Sequence, residues 1–190
     1  MVLSIEEKRE LLRIARAVIV HALQPKGSSP APAIGKPAGN LAQACGAFVT
    51  LKKGGELRGC IGRMGSDTAL VHTVKAMAAS AAFEDPRFPP LAAEELDDVE
   101  IEISVLTPMR RIASQDEVVV GTHGVYMRKG FRSGVFLPQV PGEWGWDRET
   151  YLKQLCRKAG LPESSLGESD TELSVFEAIV FGERDLSSGP

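Results

Sequence analysis

The chain of 190 residues has little of what usually announces a function. It carries only three cysteines (Cys45, Cys60 and Cys156), an odd and widely spaced set that argues against a disulfide framework and for reduced thiols. No apolar run approaches the roughly 20 residues needed to cross a bilayer. The opening Met1-Val2-Leu3-Ser4-Ile5-Glu6-Glu7 lacks a charged-then-apolar leader, so a cytoplasmic location is expected. Charge of neither sign dominates: the net charge is -3, which removes any global field that would draw in nucleic acid or acidic lipid. There is no cysteine triad at cluster spacing, which excludes a radical SAM enzyme in this chain itself. His-Glu-x-x-His, Cys-x-x-Cys, a Walker loop and a dinucleotide fingerprint are all missing. A metal site from Cys60, His123 and a carboxylate is conceivable, but their scattered spacing gives it no support, and no residue pattern names a cofactor.

What is present is an ordinary globular composition, 43% hydrophobic and 25% charged, long enough to bury a full core. Ser4 and Glu7 stand at capping-box spacing ahead of a helical pattern that runs to His21, with Leu11, Ala15, Val18 and Ala22 on its buried face. Residues 24–40, rich in proline and glycine, read as a flexible arm or loop. Strands are expected over 47–52 and 56–61, joined at Lys53-Gly54-Gly55. A helix is expected from about Asp67 to Phe83, capped by Ser66 or Asp67 and stopped by the prolines of Asp85-Pro86-Arg87-Phe88-Pro89-Pro90. In this turn Asp85 and Arg87 read as a local pair.

Val99 to Leu106 alternates cleanly, with Glu100, Glu102 and Ser104 opposite the apolar stripe. Short strands at 118–120, 124–128 and 134–137, a helix at 147–159, a last strand at 173–181 and a frayed tail at 184–190 complete the pattern. Hairpins outnumber strand–helix alternation, so the fold class is α+β, a mainly antiparallel sheet with flanking helices.

The chemistry-bearing stretch is Leu57-Arg58-Gly59-Cys60-Ile61-Gly62. In an extended conformation Leu57, Gly59 and Ile61 share one side, and Arg58 and Cys60 the other, with Cα atoms about 7 Å apart. A guanidinium there would favour a thiolate at Cys60, while Gly59 and Gly62 would let a substrate or another backbone approach. The plainer alternative is a core cysteine beside bulge glycines. His123, between glycines in Gly121-Thr122-His123-Gly124, is a candidate general base or an exposed turn histidine. Glu102 and Ser104 are candidates to line a site or belong to a solvated strand face. Gln139, after Pro138, is a candidate polar contact or simple loop polarity.

The same hexapeptide resembles the signature of the AMMECR family. Gly46-Ala47-Phe48-Val49-Thr50-Leu51 is similar to the family's preceding strand, residues 83–91 to its proline-rich turn, and Ile101-Glu102-Ile103-Ser104-Val105-Leu106 to its central strand. His123-Gly124, Leu137-Pro138-Gln139 and Leu155-Cys156 follow in family order, so the resemblance covers about 41–183 of one AMMECR-type domain spanning the chain. Within the family the chain resembles the A component of the AmmeMemoRadiSam group. The resemblance implies two intertwined subdomains, the larger built from both chain ends, and a cleft near the hexapeptide. It also implies a Memo-like protein and a radical SAM enzyme as partners, but no settled reaction.

Two classes of function stay open. One is an enzyme or catalytic accessory centred on Cys60, with His123 and Glu102 as acid/base candidates and Arg58, Gly59, Gly62, Ser104 and Gln139 around the substrate. The other is a binding module for protein or nucleic acid without catalysis, using Lys52, Lys53, Arg58 and Arg63 together with Arg110, Arg111, Arg128, Lys129 and Arg132.

Overall fold

The computed structural model describes residues 1–24 and 33–187. In chain order its elements are α1 (Ile5–Leu23), β1 (Ala47–Lys53), β2 (Glu56–Arg63), α2 (Leu70–Phe83), β3 (Val99–Leu106), β4 (Arg110–Ile112), β5 (Gly124–Lys129), β6 (Arg132–Phe136), α3 (Val140–Glu143), α4 (Arg148–Ala159), β7 (Glu172–Phe176), β8 (Ala178–Gly182) and α5 (Glu183–Ser187), with short 3-10 turns between several of them. The class is α+β, with two four-stranded sheets ordered β2-β1-β3-β8 and β4-β7-β5-β6. The chain divides into two compact units, Met1–Leu106 with Ile179–Pro190, and Thr107–Ala178. No described helix is long and apolar enough to cross a membrane.

In the first unit, α1 begins at the capping box foreseen from Ser4 and Glu7: the Ser4 hydroxyl accepts the Glu7 amide and the Glu7 carboxylate accepts the Ser4 amide. Glu7 also accepts the backbone and side-chain N–H groups of Asn40, which ties the end of the proline-rich stretch to the helix. Residues 25–32 of the expected arm, and 188–190 of the expected tail, lie outside the described residues. The tail begins as the short helix α5 rather than as frayed chain.

Helices α1 and α2 cover one face of the sheet, burying Ala47, Val49 and Leu51 of β1 and Val99, Ile101, Ile103 and Val105 of β3 with Leu11, Ile14, Leu70, Val74 and Ala78. The α2 start departs from expectation. Ala69 is the cap residue without a side-chain bond, and Ser66 instead joins Thr68 and Thr73 in a hydroxyl cluster.

The second unit packs α4 on its own sheet around Val125, Met127, Tyr151, Leu155, Cys156 and Val175. Asp147 caps α4 by accepting the Thr150 amide, and Gly160 ends it in the left-handed region at φ 68°. Two strand expectations fail here. Val118 to Val120 forms no strand, because the capped 3-10 turn at Gln115–Glu117 leads instead into a turn at 119–122. The last strand breaks at Glu177 into β7 and β8, which belong to different sheets, and its partner β4 has too few residues to show an alternation.

Candidate functional site

β2 is an edge strand, and a single irregularity in its pairing decides where Cys60 points. Opposite the Gly54-Gly55 turn, Lys53 pairs with Glu56 and Lys52 with Leu57, but Leu51 then pairs with Gly59 and Thr50 with Cys60. Arg58 is the extra residue of a β-bulge, and one extra residue reverses the phase of everything beyond it. An unbulged hairpin would have set Cys60 against Val49, which faces the helices. The bulge sets it against Thr50, on the face opposite the helices. The expectation that Leu57, Gly59 and Ile61 share a side is therefore corrected: Leu57 falls beside Lys52, and Gly59 beside buried Leu51.

The register carries a polar row across three strands on that face. Cys60 is opposite Thr50, and Thr50 is opposite Glu102 of β3. The Thr50 hydroxyl donates to Cys60 Sγ at 3.3 Å. Such closeness suits a non-hydrogen-bonded antiparallel pair, in which side chains approach most nearly. Lys52 Nζ meets Glu102 at 2.7 Å, so this carboxylate sits in an ion pair. Ser104, one step along the same side of β3, is opposite Phe48 and buried.

The free edge of β2 is occupied by the turn that follows α2. Asp85 accepts the Cys60 amide at 2.8 Å, and Arg87 Nη2 donates to the Cys60 carbonyl at 3.1 Å. Asp85 also accepts from Arg87 through its backbone N–H, Nε and Nη2 at 3.1, 2.9 and 2.7 Å. Both outward backbone groups of Cys60 are thus taken by side chains, which both fixes the residue and blunts the edge. The Asp85 side chain is 2% exposed, whereas that of Arg87 is 53% exposed. The hydrogen bonds from Arg87, with further donation from the Cys60 and Arg87 amides, hold the Asp85 carboxyl well below the usual range despite its burial. Arg87 is raised in turn, first by its bond to Asp85 and to a lesser extent by the Cys60 thiol.

Arg58 does not fill the role expected for it. Its guanidinium binds Glu95 in a fork, Nε to Oε1 at 3.0 Å and Nη2 to Oε2 at 2.8 Å, and its side chain is only 11% exposed. That fork, the Ala92 amide and Lys53 draw the Glu95 carboxyl down to about 2. The Phe88 ring lies under both cations, 5.9 Å from Arg58 and 5.6 Å from Arg87. The cation that binds Cys60 is Arg87, through the backbone carbonyl.

The two glycines are corrected as well. A Cβ on Gly59 would stand 2.2 Å from the Ala81 carbonyl, so its missing side chain admits helix α2. A Cβ on Gly62 would stand 2.2 Å from the Phe48 ring, which covers it from the neighbouring strand. Both missing side chains make room for the protein's own packing.

His123 and Gln139 belong to the second unit, while Cys60, Glu102, Ser104 and Arg58 belong to the first. His123 Nδ1 accepts the Val119 amide at 3.1 Å, which leaves Nε2 carrying the hydrogen in the neutral ring. That arrangement makes the imidazole a donor rather than a ready base. It borders a cavity of about 210 Å³ with Thr107, Arg110, Phe176 and Glu177. Gln139 caps α3, and its buried Oε1 meets no donor among the described residues. Cys45 and Cys156 are buried, and burial pushes both thiols up. Among the described residues, no three His, Cys, Asp or Glu side chains gather as a metal would require.

The basic residues considered for nucleic acid are mostly engaged. Lys53, Arg110, Arg111, Arg128 and Lys129 each pair with a carboxylate, as do Lys52 and Arg58. Pattern reading treated Asp85 and Arg87 as a turn pair and passed over Thr50. The Asp-x-Arg spacing was visible, but the bulge that brings Thr50 to Cys60 was not.

Comparison with known proteins agrees with this frame. The AMMECR1 family profile matches residues 12–181. Protein MK0488 of Methanopyrus kandleri is 43% identical over 193 residues, covering 96% of this chain and 91% of its own. Protein NEQ441 of Nanoarchaeum equitans is 41% identical, covering 91% and 98%. The crystal structure of the uncharacterized protein PH0010 from Pyrococcus horikoshii superposes with a TM-score of 0.76 at 37% identity, covering 92% of this chain and 90% of that one. A profile match over most of the sequence and relatives at this identity and coverage have one meaning: the chain belongs to the AMMECR1 family.

Proposed function

We propose that this chain is an enzyme or catalytic accessory in which the Cys60 thiolate attacks an electrophilic carbon, in acyl or alkyl group transfer. The observation that carries the reading is the setting of one half-buried thiol. Its amide is held by Asp85, its carbonyl accepts from the Arg87 guanidinium, and its sulfur accepts the Thr50 hydroxyl. Donors and positive charge near a sulfur favour the thiolate, the form that reacts. Glu102, opposite Thr50 in the same polar row and paired with Lys52, is the acid/base candidate on this sheet. His123, Gln139 and a cytoplasmic setting enter this reading only as expectations from the sequence, and the Memo-like and radical SAM partners only through the family resemblance.

The test is the rate of iodoacetamide labelling at Cys60, read by peptide mass spectrometry from pH 5 to 9. A thiol activated by its surroundings labels faster than glutathione at neutral pH. A Cys60 that labels no faster than glutathione across that range defeats the nucleophile. Partner capture by a Cys60→Ala variant, with pathway activity intact, would favour a binding module instead.

A further inference from the structure

The Asp85–Arg87 pair is lopsided. Formally it is neutral, yet its carboxylate is 2% exposed and its guanidinium 53% exposed, so the pair presents positive charge outward. Within the guanidinium the division continues. Nε and Nη2 are spent on Asp85 and the Cys60 carbonyl, while Nη1 makes no hydrogen bond among the described residues. Of the four other cations near the hexapeptide three are engaged, while Arg63, three residues along β2 from Cys60, makes no side-chain hydrogen bond or ion pair among the described residues. Arg58 is enclosed by Glu95 and Phe88, Lys52 is paired with Glu102, and Lys53 with Glu95. An open guanidinium N–H beside a thiol is a donor for an oxyanion at the moment the sulfur attacks.

From this arrangement we infer that the site selects an electrophile carrying an anionic group, a carboxylate or a phosphate, and that Arg87 is the residue that recognises it. The inference rests on the nucleophilic reading of Cys60 and adds the substrate class to it. Arg87 Nη1 donates to an oxygen of the anion, the Thr50 hydroxyl supports the sulfur, and the electrophilic carbon lies between them. The Cys60 proton passes to water, the sulfur electron pair forms the S–C bond, and the leaving group departs with the electrons of the bond that breaks. The buried Asp85 holds the guanidinium in place without itself facing the substrate.

Iodoacetate and iodoacetamide separate the two claims, because both react by the same displacement of iodide and differ in charge. The measurement is the ratio of their second-order rates at Cys60 in the full chain, divided by the same ratio for glutathione. A single exposed guanidinium–anion contact predicts a normalised ratio of about three to five in low salt. It should fall towards one in molar salt, where the screening length is only about 3 Å. Arg87→Gln should bring the ratio close to one, and Arg87→Lys should retain part of it.

A normalised ratio of one or less in the unsubstituted protein overturns the inference, and so does a raised ratio that survives both molar salt and Arg87→Gln. Because the unsubstituted protein and its salt dependence already decide the matter, a variant that fails to fold does not shelter the proposal. A Cys60 that reacts with neither reagent faster than glutathione brings down the nucleophile itself. Fast iodoacetamide labelling with no preference for iodoacetate brings down only the anion.

Discussion

Asp85 accepts the amide of Cys60 at 2.8 Å while fixing, at 2.7 Å, the same Arg87 nitrogen that donates to the Cys60 carbonyl at 3.1 Å. One buried carboxylate therefore does for the edge of β2 what a fifth strand would have done. Three of its bonds come from Arg87 and one from Cys60, so its removal leaves two kinds of orphan, a buried amide and a guanidinium without its partner.

Asp85→Asn keeps the shape and loses the charge. The amide NH2 it introduces must face either the Cys60 N–H or the Arg87 donors. A loss of about 2–4 kcal/mol of unfolding free energy is expected, as for a broken buried charge-assisted network. Urea denaturation measures it. A midpoint unchanged from the parent protein would show that the clamp is ornamental.

The same pairs set the acid limb of stability. Asp85 and Glu95 both have carboxyls depressed in the folded state, Asp85 first by the Arg87 hydrogen bonds and Glu95, down to about 2, first by the Arg58 fork. A depressed folded value means the unfolded chain binds protons first, so their stabilisation is fully present above the ordinary carboxylate range. It is lost as pH falls from about 4.5 towards 2. Acid unfolding followed by circular dichroism should therefore steepen in this window, and Glu95→Gln should flatten it. The contribution of Glu95 is modest, since its side chain is about one-fifth exposed and solvent screens the fork.

A sharper structural test lies at Gly59. The Ala81 carbonyl would be 2.2 Å from an added Cβ, and it is backbone rather than a yielding side chain. Gly59→Ala should cost about 3 kcal/mol or more by pushing α2 off the strand, in the manner of an overpacked core. Gly65→Ala is the control, because nothing lies within 4 Å of its Cβ. Equal thermal midpoints for the two variants would refute the close helix contact.

How much of this was legible beforehand divides by cause. The capping box at Ser4, the alternation of β3 and the Gly160 stop of α4 are local, and local chemistry sufficed to find them. The family likeness of the hexapeptide was legible in several ordered blocks. The facing of its residues was not, because the phase of β2 depends on a bulge at Arg58 that no alternation rule contains. For the same reason Gly59 looked like an opening for substrate and proved to be the seat of a helix. Arg87 was readable as charge but not as the partner of Cys60. An edge strand's free amides can be met from anywhere in the chain, and here a turn 25 residues on supplies them.

Thr50 gives the last test, one that separates positioning from packing. Its hydroxyl donates to Cys60 Sγ at 3.3 Å, and its register between Cys60 and Glu102 places it in the middle of the polar row. Thr50→Val is close to isosteric and suits a strand, so stability should change by less than about 1 kcal/mol. A hydroxyl donor supports a reacting sulfur, so its loss should slow iodoacetamide labelling at Cys60. At neutral pH the labelling rate should fall about three- to tenfold, the range expected for one hydrogen bond to a charged acceptor. Thr50→Ser restores the hydroxyl and should restore the rate, even though it weakens the strand. If Val and Ser variants label alike, the hydroxyl contributes packing only.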